Sequence, residues 1–289
     1  MVRLIVLLIS ACLVTAVASA QRADDILLRA GTFVRETAQR LSGVVADELY
    51  EQQLFASFVD SRLSPRIARR AMRSEALFMW LPAASQWVFV RNVLAVDDRP
   101  VPDSGDRLDR LFNSGVDAAA YLRQLQEENA RFDIGPVTRT FGDPTFALRF
   151  LDAPSQARFA FDRAGTERVG GVRAMRFAYH ERRRPFVIHV DGMNAQSSGT
   201  MWIDPVDGVV LRTTLHVTRP SGRGTLASVT VDFQKDPRLE AWVPNLMSEE
   251  YNAGGGQVTR AKTSYANFRR FATSVRVVDP DAVRQAEPR

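Results

Sequence analysis

The sequence offers few side chains that bind metal ions or form covalent cross-links. Its 289 residues include one cysteine, Cys12, and three histidines, His180, His189 and His216. A single cysteine can form neither an internal disulfide nor a metal–thiolate cluster. The histidines follow no HExxH spacing, and the one arrangement that could gather ligands puts His189 and Asp191 on one strand face beside His180. We therefore predict no metal, no cofactor and surface histidines.

Signatures of exported enzymes and of phosphate binding are missing too. Gly-x-Ser-x-Gly does not occur. The run Gly254–Gly256 is not followed by Lys-Ser/Thr or by a helical pattern, which predicts a hairpin loop instead of a phosphate cradle. The acidic pairs Glu127-Glu128 and Glu249-Glu250 are adjacent, so their side chains point apart and favour solvated faces. We predict no catalytic residues and a protein that is not an enzyme.

Long hydrophobic runs are absent except at the N-terminus. Residues Leu4–Val14 are apolar, Arg3 precedes them, and the small-residue site Ala18–Ala20 follows. A membrane-spanning helix needs about 20 apolar residues, and this run is shorter. Residues 1–20 are therefore expected to be a signal peptide cleaved after Ala20. The mature chain is then periplasmic or secreted and has no transmembrane span.

An alternative interpretation of the leader is a lipid anchor. Residues Ile9–Cys12 resemble a bacterial lipobox, which would make Cys12 a lipidated N-terminus. The apolar run continues past Cys12 to the Ala-x-Ala site, whereas lipoproteins usually turn polar there. Cleavage after Ala20 is the preferred interpretation, and the lipid-anchored form is the alternative.

Lysine is scarce, and nearly all the positive charge is arginine. The chain has 38 basic residues, of which two, Lys235 and Lys262, are lysines, against 33 acids, for a net charge of +5. The arginines are scattered, with the longest cluster at Glu181–Arg184, and no basic stripe interleaved with aromatics is present. This pattern predicts no nucleic-acid partner. A basic balance can favour anionic lipid or other polyanions.

The apolar pattern predicts one helix followed by many strands. Residues 24–45 carry apolar side chains at helical spacing, with Asp24 and Asp25 in the first turn, where the helix dipole favours acids. The period then changes to two, which predicts strands. The predicted strands are residues 46–60, 70–81, 86–97, 156–163, 172–180, 199–203, 209–218, 223–234, 240–252 and 257–268.

A helical insertion interrupts the strands at about residues 104–151. It contains a helix at 116–125 and a short helix at 144–151 that begins with proline. We predict a mainly β (α+β) fold, with a curved antiparallel sheet or incomplete β-barrel, the N-terminal amphipathic helix and this insertion. Residues 21–278 are expected to form one domain, and residues 279–289 a frayed tail.

Several predicted strands are apolar on both faces. Examples are Phe78–Leu81, Trp87–Val90 and Met201–Ile203, whereas a strand buried on one side alternates with polar residues. Both faces of these strands must then be covered. The N-terminal helix and the helix at 116–125 together can cover one face, and the other face is covered either by another part of the protein or by an apolar ligand in a cavity. The candidate cavity residues are aromatic or methionine: Phe78, Trp80, Trp87, Phe89, Phe159, Phe161, Met175, Phe177 and Met201.

The hairpin at Gly199–Arg212 carries a resemblance to a known family. Its pattern W-x-D-P-x-x-G-x-x-x-R, after an export signal and an amphipathic helix, is similar to the central hairpin of the periplasmic lipoprotein-carrier (LolA/LolB-like) superfamily, through a branch of exported bacterial proteins. The resemblance implies an incomplete β-barrel plugged by helices, with a cavity for acyl chains. This chain departs from the family by its length and its insertion, so the resemblance supports the fold more than the cargo.

These observations lead to three functional hypotheses. The first is a non-enzymatic periplasmic binding or carrier protein for a lipid, an acyl chain or another apolar ligand. The second is a structural or protein-interaction domain whose core is filled by its own side chains and whose edges dock an envelope protein. The third is an exported hydrolase, which would need a His/Asp/Ser cluster formed only in the folded chain.

Overall fold

The computed structural model describes residues 23–56, 66–81, 86–113, 118–135 and 141–271. The helices are α1 (23–41), α2 (Arg107–Asn113), α3 (Ala118–Ala130) and α4 (Ala153–Gln156), and a 3-10 helix spans Phe146–Leu151. The predicted signal peptide, Cys12 and the predicted tail lie outside the described residues. Within the described ranges, no helix is both long enough and apolar enough to cross a membrane.

Helix α1 is described from residue 23 and ends earlier than predicted. Its last residue is Leu41, whereas the apolar spacing predicted a helix as far as Val45. Gly43 adopts a φ of +74°, the left-handed conformation that commonly ends a helix. The β-branched residues Val44 and Val45 then begin the first strand, because such side chains favour extended backbone. The periodicity continued by chance across this change of structure.

The strands form one large antiparallel sheet and one small hairpin. The 11-stranded sheet has the order β4-β3-β2-β1-β13-β12-β11-β10-β9-β6-β5, and β7 pairs with β8 alone. Strands β1, β13, β12, β11, β10 and β9 lie in its centre, and β4 and β5 are its edges. The bounds are β1 Val44–Ala56, β2 Arg66–Leu81, β3 Gln86–Val96, β4 Arg99–Pro100, β5 Phe159–Val169, β6 Val172–Glu181, β7 Ile188–Val190, β8 Met193–Ala195, β9 Ser197–Ile203, β10 Val210–Thr218, β11 Thr225–Asp236, β12 Ala241–Gly254 and β13 Gln257–Arg270.

The sheet is strongly curved, as the 3-10 helix demonstrates. Thr145 accepts a hydrogen bond from Trp87 on β3, and Phe150 stacks on Phe159 of β5 with ring centroids 4.4 Å apart. In a flat sheet these two strands would lie about 43 Å apart, at about 4.8 Å per strand. The six residues from Thr145 to Phe150 span only about 10 Å. The two edges therefore bend toward each other, which confirms the predicted curved antiparallel sheet.

Opposite faces of β1–β3 are covered by different helices. The concave face carries Phe78 and packs against α1 and the 3-10 helix. The convex face carries Leu77 and packs against Leu108 of α2 and Leu122 of α3. The doubly apolar strands are thus explained by two protein covers. The expectation that α1 and the second long helix cover the same face is wrong, because the chain after β4 passes first over the convex side.

The predicted hairpin between β9 and β10 forms and docks on α1. Gly208 has a φ of +80°, and a Cβ atom there would lie 2.6 Å from the Arg29 carbonyl carbon. The Arg29 guanidinium donates a hydrogen bond to the Pro205 carbonyl oxygen at 3.0 Å. Glycine is therefore required both by the turn and by the close approach of the helix. This contact holds α1 against the centre of the sheet.

The insertion joins the two edge strands, β4 and β5, and therefore has to cross the sheet. The predicted helix at 116–125 is α3, which extends to Ala130. The predicted helix at 144–151 is instead a 3-10 helix that begins at Phe146. Asp133 and Ile134 hydrogen-bond to Gln52 on β1, so the segment after α3 lies over the concave face. That residues 21–278 form a single domain stays a prediction.

Candidate functional site

The predicted cavity residues converge on the concave face. Phe78, Trp87, Phe159, Met175, Phe177 and Met201 are buried in one cluster, and Phe89 and Phe161 are partly buried against it. The Trp80 side chain lies outside what the structure describes; its backbone pairs with Trp87. The period-two pattern therefore placed these residues on one face, although they come from five strands. Their role in ligand binding stays a prediction.

Much of the concave face is filled by the protein's own side chains. Phe150 of the 3-10 helix contacts Phe159 and Tyr179, with ring centroids 4.4 and 5.6 Å apart. Phe141 stacks on Tyr251 at 6.5 Å. Helix α1 adds a buried stripe along its length: Ile26, Leu27, Ala30, Val34 and Leu41. The aromatic cluster near β5 and β6 is therefore a packed core.

A cavity remains between α1, β3 and the 3-10 helix, and we name it the α1 pocket. Its volume is about 570 Å³, within the range of about 300–1,000 Å³ that is typical of small-molecule sites. Its apolar wall consists of Val34, Ala38, Leu41, Trp87, Leu148 and Pro154. The polar residues Arg35, Gln39, Arg149 and Asp152 also line it. Among the predicted cavity residues whose side chains the structure describes, Trp87 alone borders this pocket.

A hydrogen-bonded chain fixes the wall of the α1 pocket. The Trp87 indole N–H donates to the Thr145 hydroxyl at 2.6 Å, and that hydroxyl donates to Asp143 Oδ1 at 2.6 Å. Asp143 also accepts a charge-assisted hydrogen bond from Arg149. Trp87 is 7% exposed, so its N–H needs a partner inside the protein. The pocket is thus held open by oriented side chains on three elements.

The charges around the α1 pocket are of both signs. Arg35 is exposed and donates to Thr32 Oγ1 at 3.2 Å, one turn earlier in α1. Arg149 is neutralised by Asp143, and Asp152 adds a second carboxylate. The apolar wall is thus closed off by a polar mouth. This arrangement suits an apolar or amphiphilic molecule better than a polyanion.

Buried charges on the concave face were not predicted from the sequence. Glu48 on β1 is buried and accepts two hydrogen bonds from the Arg91 guanidinium, one of them at 2.7 Å. Glu249, expected to be solvated, is buried and accepts a hydrogen bond from the Tyr251 hydroxyl at 2.7 Å. That expectation is wrong for Glu249, because odd-numbered residues of β12 face the core. The period-two pattern through Met247 and Tyr251 could have revealed this.

Burial also perturbs a tyrosine on β6, the strand next to the edge strand β5. Burial raises the pKa of Tyr179 well above its ordinary value, and its hydroxyl donates to the Thr214 carbonyl oxygen at 2.8 Å. A neutral phenol held in this way is a structural hydrogen-bond donor. It offers no base or nucleophile.

The three histidines are exposed and lie on three different strands, β6, β7 and β10. His216 forms a hydrogen bond with Ser228 through Nδ1 and Oγ at 3.0 Å on the exposed surface. Strand β7 ends at Val190, and Asp191 has a φ of +52° in the following turn, so His189 and Asp191 do not share a strand face. Among the residues that the structure describes, no three His, Cys, Asp or Glu side chains are grouped to hold a metal ion.

An open antiparallel sheet filled by helices defines the structural class, and comparisons with solved structures find several chains of low sequence identity. The chain is similar to a domain described as an outer membrane lipoprotein-sorting protein from Vibrio parahaemolyticus (13% identity, 88% of this chain, 97% of that chain, TM-score 0.35). It is also similar to a DUF1329 family protein from Desulfovibrio piger (12% identity, 88% and 94%, TM-score 0.32).

A third similar structure is a LolA superfamily protein from Nitrosomonas europaea (10% identity, 86% of this chain, 94% of that chain, TM-score 0.28). Two of these descriptions thus name lipoprotein sorting or the superfamily that the Gly199–Arg212 hairpin resembles. No protein-family model matches the chain, and no curated protein matches it. At these identities and TM-scores the likeness does not indicate the function of this chain.

Proposed function

We propose that the protein is a non-enzymatic binding protein for a lipid or another apolar ligand, and that the ligand lies in the α1 pocket. The observation that carries this proposal is a cavity of about 570 Å³ with an apolar wall between α1, β3 and the 3-10 helix. Well-packed interiors leave few voids larger than a water molecule. A void of this size, kept open by the hydrogen bonds of Trp87 and Thr145, is an expected feature of a ligand site.

The shape of the pocket supports an elongated ligand with one polar end. Val34, Ala38 and Leu41 lie along one side of α1, which gives the wall the length of about two helical turns. Arg35 at the mouth could neutralise a carboxylate or phosphate, and Asp152 beside it could bind a hydroxyl or amine. An acyl chain with a small head group satisfies both requirements. The predicted leader supports a periplasmic location for this activity.

The experiment is a titration of the purified protein with cis-parinaric acid, a fluorescent fatty acid. We expect binding with a Kd of about 1–10 µM. In the variant Ala38→Trp the new indole would fill the pocket, and we expect at least tenfold weaker binding. Leu28→Trp is the matched control, because Leu28 is 68% exposed on the same helix and does not line the pocket. A flat titration of the parent protein, or equal effects of the two variants, would refute the proposal.

The second candidate function is a protein-interaction domain with a self-filled core. The packing of Phe150, Phe159 and Tyr179 favours it, since these rings fill their part of the concave face by contacting one another. In that case the edge strands would bind an envelope protein, and the α1 pocket would remain empty. Native mass spectrometry of protein purified from its own periplasm separates the two candidates, because only a carrier retains a lipid.

A further inference from the structure

The chain between β6 and β9 leaves the large sheet as a projecting hairpin. We name residues 182–196, which include β7 and β8, the side hairpin. It begins with the longest basic cluster of the sequence, Arg182-Arg183-Arg184, and all three side chains are exposed. Two large apolar side chains on the same hairpin are also exposed, Val187 at 42% and Met193 at 55%. Exposed cationic and apolar side chains thus belong to one segment of the chain outside the large sheet.

The apolar face of the side hairpin is buried at the base of the hairpin and exposed to solvent at its tip. Ile188 pairs with Ala195, and both are buried in the same core cluster as Phe78. Val190 pairs with Met193 two residues further along, on the same face, since directly paired residues of antiparallel strands share a face. Met193 is more than half exposed there. The tip therefore carries apolar surface beyond the protein core.

The base of the side hairpin is fixed by a buried carboxylate. Glu181 has no exposed surface and accepts hydrogen bonds from the Val187 N–H at 2.8 Å and the Ser197 hydroxyl at 3.1 Å. Its charge is balanced by Arg158, whose Nε lies 3.5 Å away. Arg158 also donates to the Arg183 carbonyl oxygen at 3.3 Å. The arginine segment is therefore held in place before any partner arrives.

The three arginines carry charge that the described part of the protein does not neutralise. Glu181 is engaged with Arg158, and no other described carboxylate forms an ion pair with Arg182, Arg183 or Arg184. The Arg184 guanidinium instead lies over the Phe186 ring, 4.8 Å from its centroid. Asp191 in the turn is the one acid of the side hairpin. The hairpin thus presents a net positive charge with apolar side chains beside it.

We propose that the side hairpin docks the protein on a bilayer surface rich in anionic phospholipid. Arginines near such a surface are attracted to its phosphates, and exposed apolar side chains enter the interface between head groups and acyl chains. Arg182–Arg184 supply the attraction, and Val187 and Met193 supply the insertion. The fixed base limits the conformational entropy that docking would otherwise cost. This surface is separate from the α1 pocket, so it does not depend on ligand binding there.

The test is co-sedimentation of the protein with vesicles of phosphatidylglycerol and phosphatidylcholine in equal parts, and with vesicles of phosphatidylcholine alone. We expect binding to the anionic vesicles that weakens with added salt, and little binding to the neutral ones. The variant Arg182→Gln/Arg183→Gln/Arg184→Gln should bind about 100-fold more weakly at low salt. Val187→Ser/Met193→Ser should weaken binding while leaving its salt dependence intact.

A matched control removes the same charge elsewhere. Arg66, Arg73 and Arg223 are exposed, and Arg66→Gln/Arg73→Gln/Arg223→Gln should retain most of the binding. Equal losses in the two triple variants would mean that only net charge matters, and would overturn the proposal. Absence of binding to anionic vesicles, or equal binding to neutral ones, would overturn it as well. If the hairpin triple variant unfolds, the single variant Arg183→Glu tests the same charge.

Discussion

The buried ion pair of Glu48 and Arg91 gives a quantitative test of the concave face. Arg91 donates two hydrogen bonds to Glu48 and one, at 3.3 Å, to the Gly142 carbonyl oxygen. The Glu48 side chain is 0% exposed, and the Arg91 side chain is 12% exposed. Replacing Arg91 with methionine would leave a buried carboxylate without its cation. Because breaking a buried pair in this way typically costs about 3–5 kcal/mol, Arg91→Met should lose that much free energy of unfolding.

The double variant Glu48→Met/Arg91→Met separates this explanation from simple loss of packing. Two methionines fill similar volume without a buried charge, so the double variant should be more stable than Arg91→Met alone. Urea denaturation followed by tryptophan fluorescence measures both. Arg260→Met is the control, because its pair with Glu250 is 58% and 49% exposed and should contribute about 1 kcal/mol or less. A double variant as unstable as the sum of its single variants would refute the reasoning.

Three further predictions follow from local geometry. Gly208→Ala should lower the free energy of unfolding by at least about 2 kcal/mol, measured by thermal unfolding, because a positive φ alone costs about 1–2 kcal/mol and α1 leaves no room for a Cβ atom. Gly255→Ala is the control: Gly255 also has a positive φ but lies in open space, so this variant should cost less. Partial burial opposes ionisation of Asp47, but side-chain hydrogen bonds outweigh it and lower its pKa. Asp47→Asn should therefore cost up to about 1 kcal/mol near pH 7, and this cost should fall as the pH is lowered through the pKa of Asp47 and the wild-type carboxyl becomes protonated; a cost that does not change with pH would contradict this. Trp87→Phe should cost about 1–2 kcal/mol by removing the donor to Thr145, and Trp87→Ala about 3–5 kcal/mol; a fully tolerated Trp87→Ala would show that the wall is not packed.

The large elements of the fold could be predicted because each is long enough for its period to be visible. Each of the ten predicted strands overlaps one strand of the large sheet, and the predicted and observed bounds differ by a few residues. Strands β4, β7 and β8 have two or three residues each, too few for an alternating pattern to stand out. The end of α1 was missed because Val45 happens to fall at helical spacing beyond the glycine. Local backbone conformation decided that boundary, and hydrophobicity did not.

The aromatic and methionine residues of the concave face could be predicted from the sequence, but its buried charges and what fills that face could not. A phenylalanine such as Phe159 shows the same pattern whether its ring packs on Phe150 or on an acyl chain, because the strand period reports only the direction of the side chain. The filling segment comes from the insertion, and nothing in its composition states where it packs. Its path follows from topology, since a connection from β4 to β5 must pass from one edge of the sheet to the other.

The position of the α1 pocket can be explained by the same crossing. The insertion packs tightly where it carries Phe146 and Phe150, and there it closes the concave face. In α4 it carries the residues Ala153, Pro154 and Ser155, which line the pocket together with Ala38 of α1. Small side chains on both sides cannot meet across the gap, and the hydrogen bond from Trp87 to Thr145 keeps the indole from rotating into it. The cavity therefore arises where two segments of low side-chain volume face each other, and the Ala38→Trp variant acts at that point.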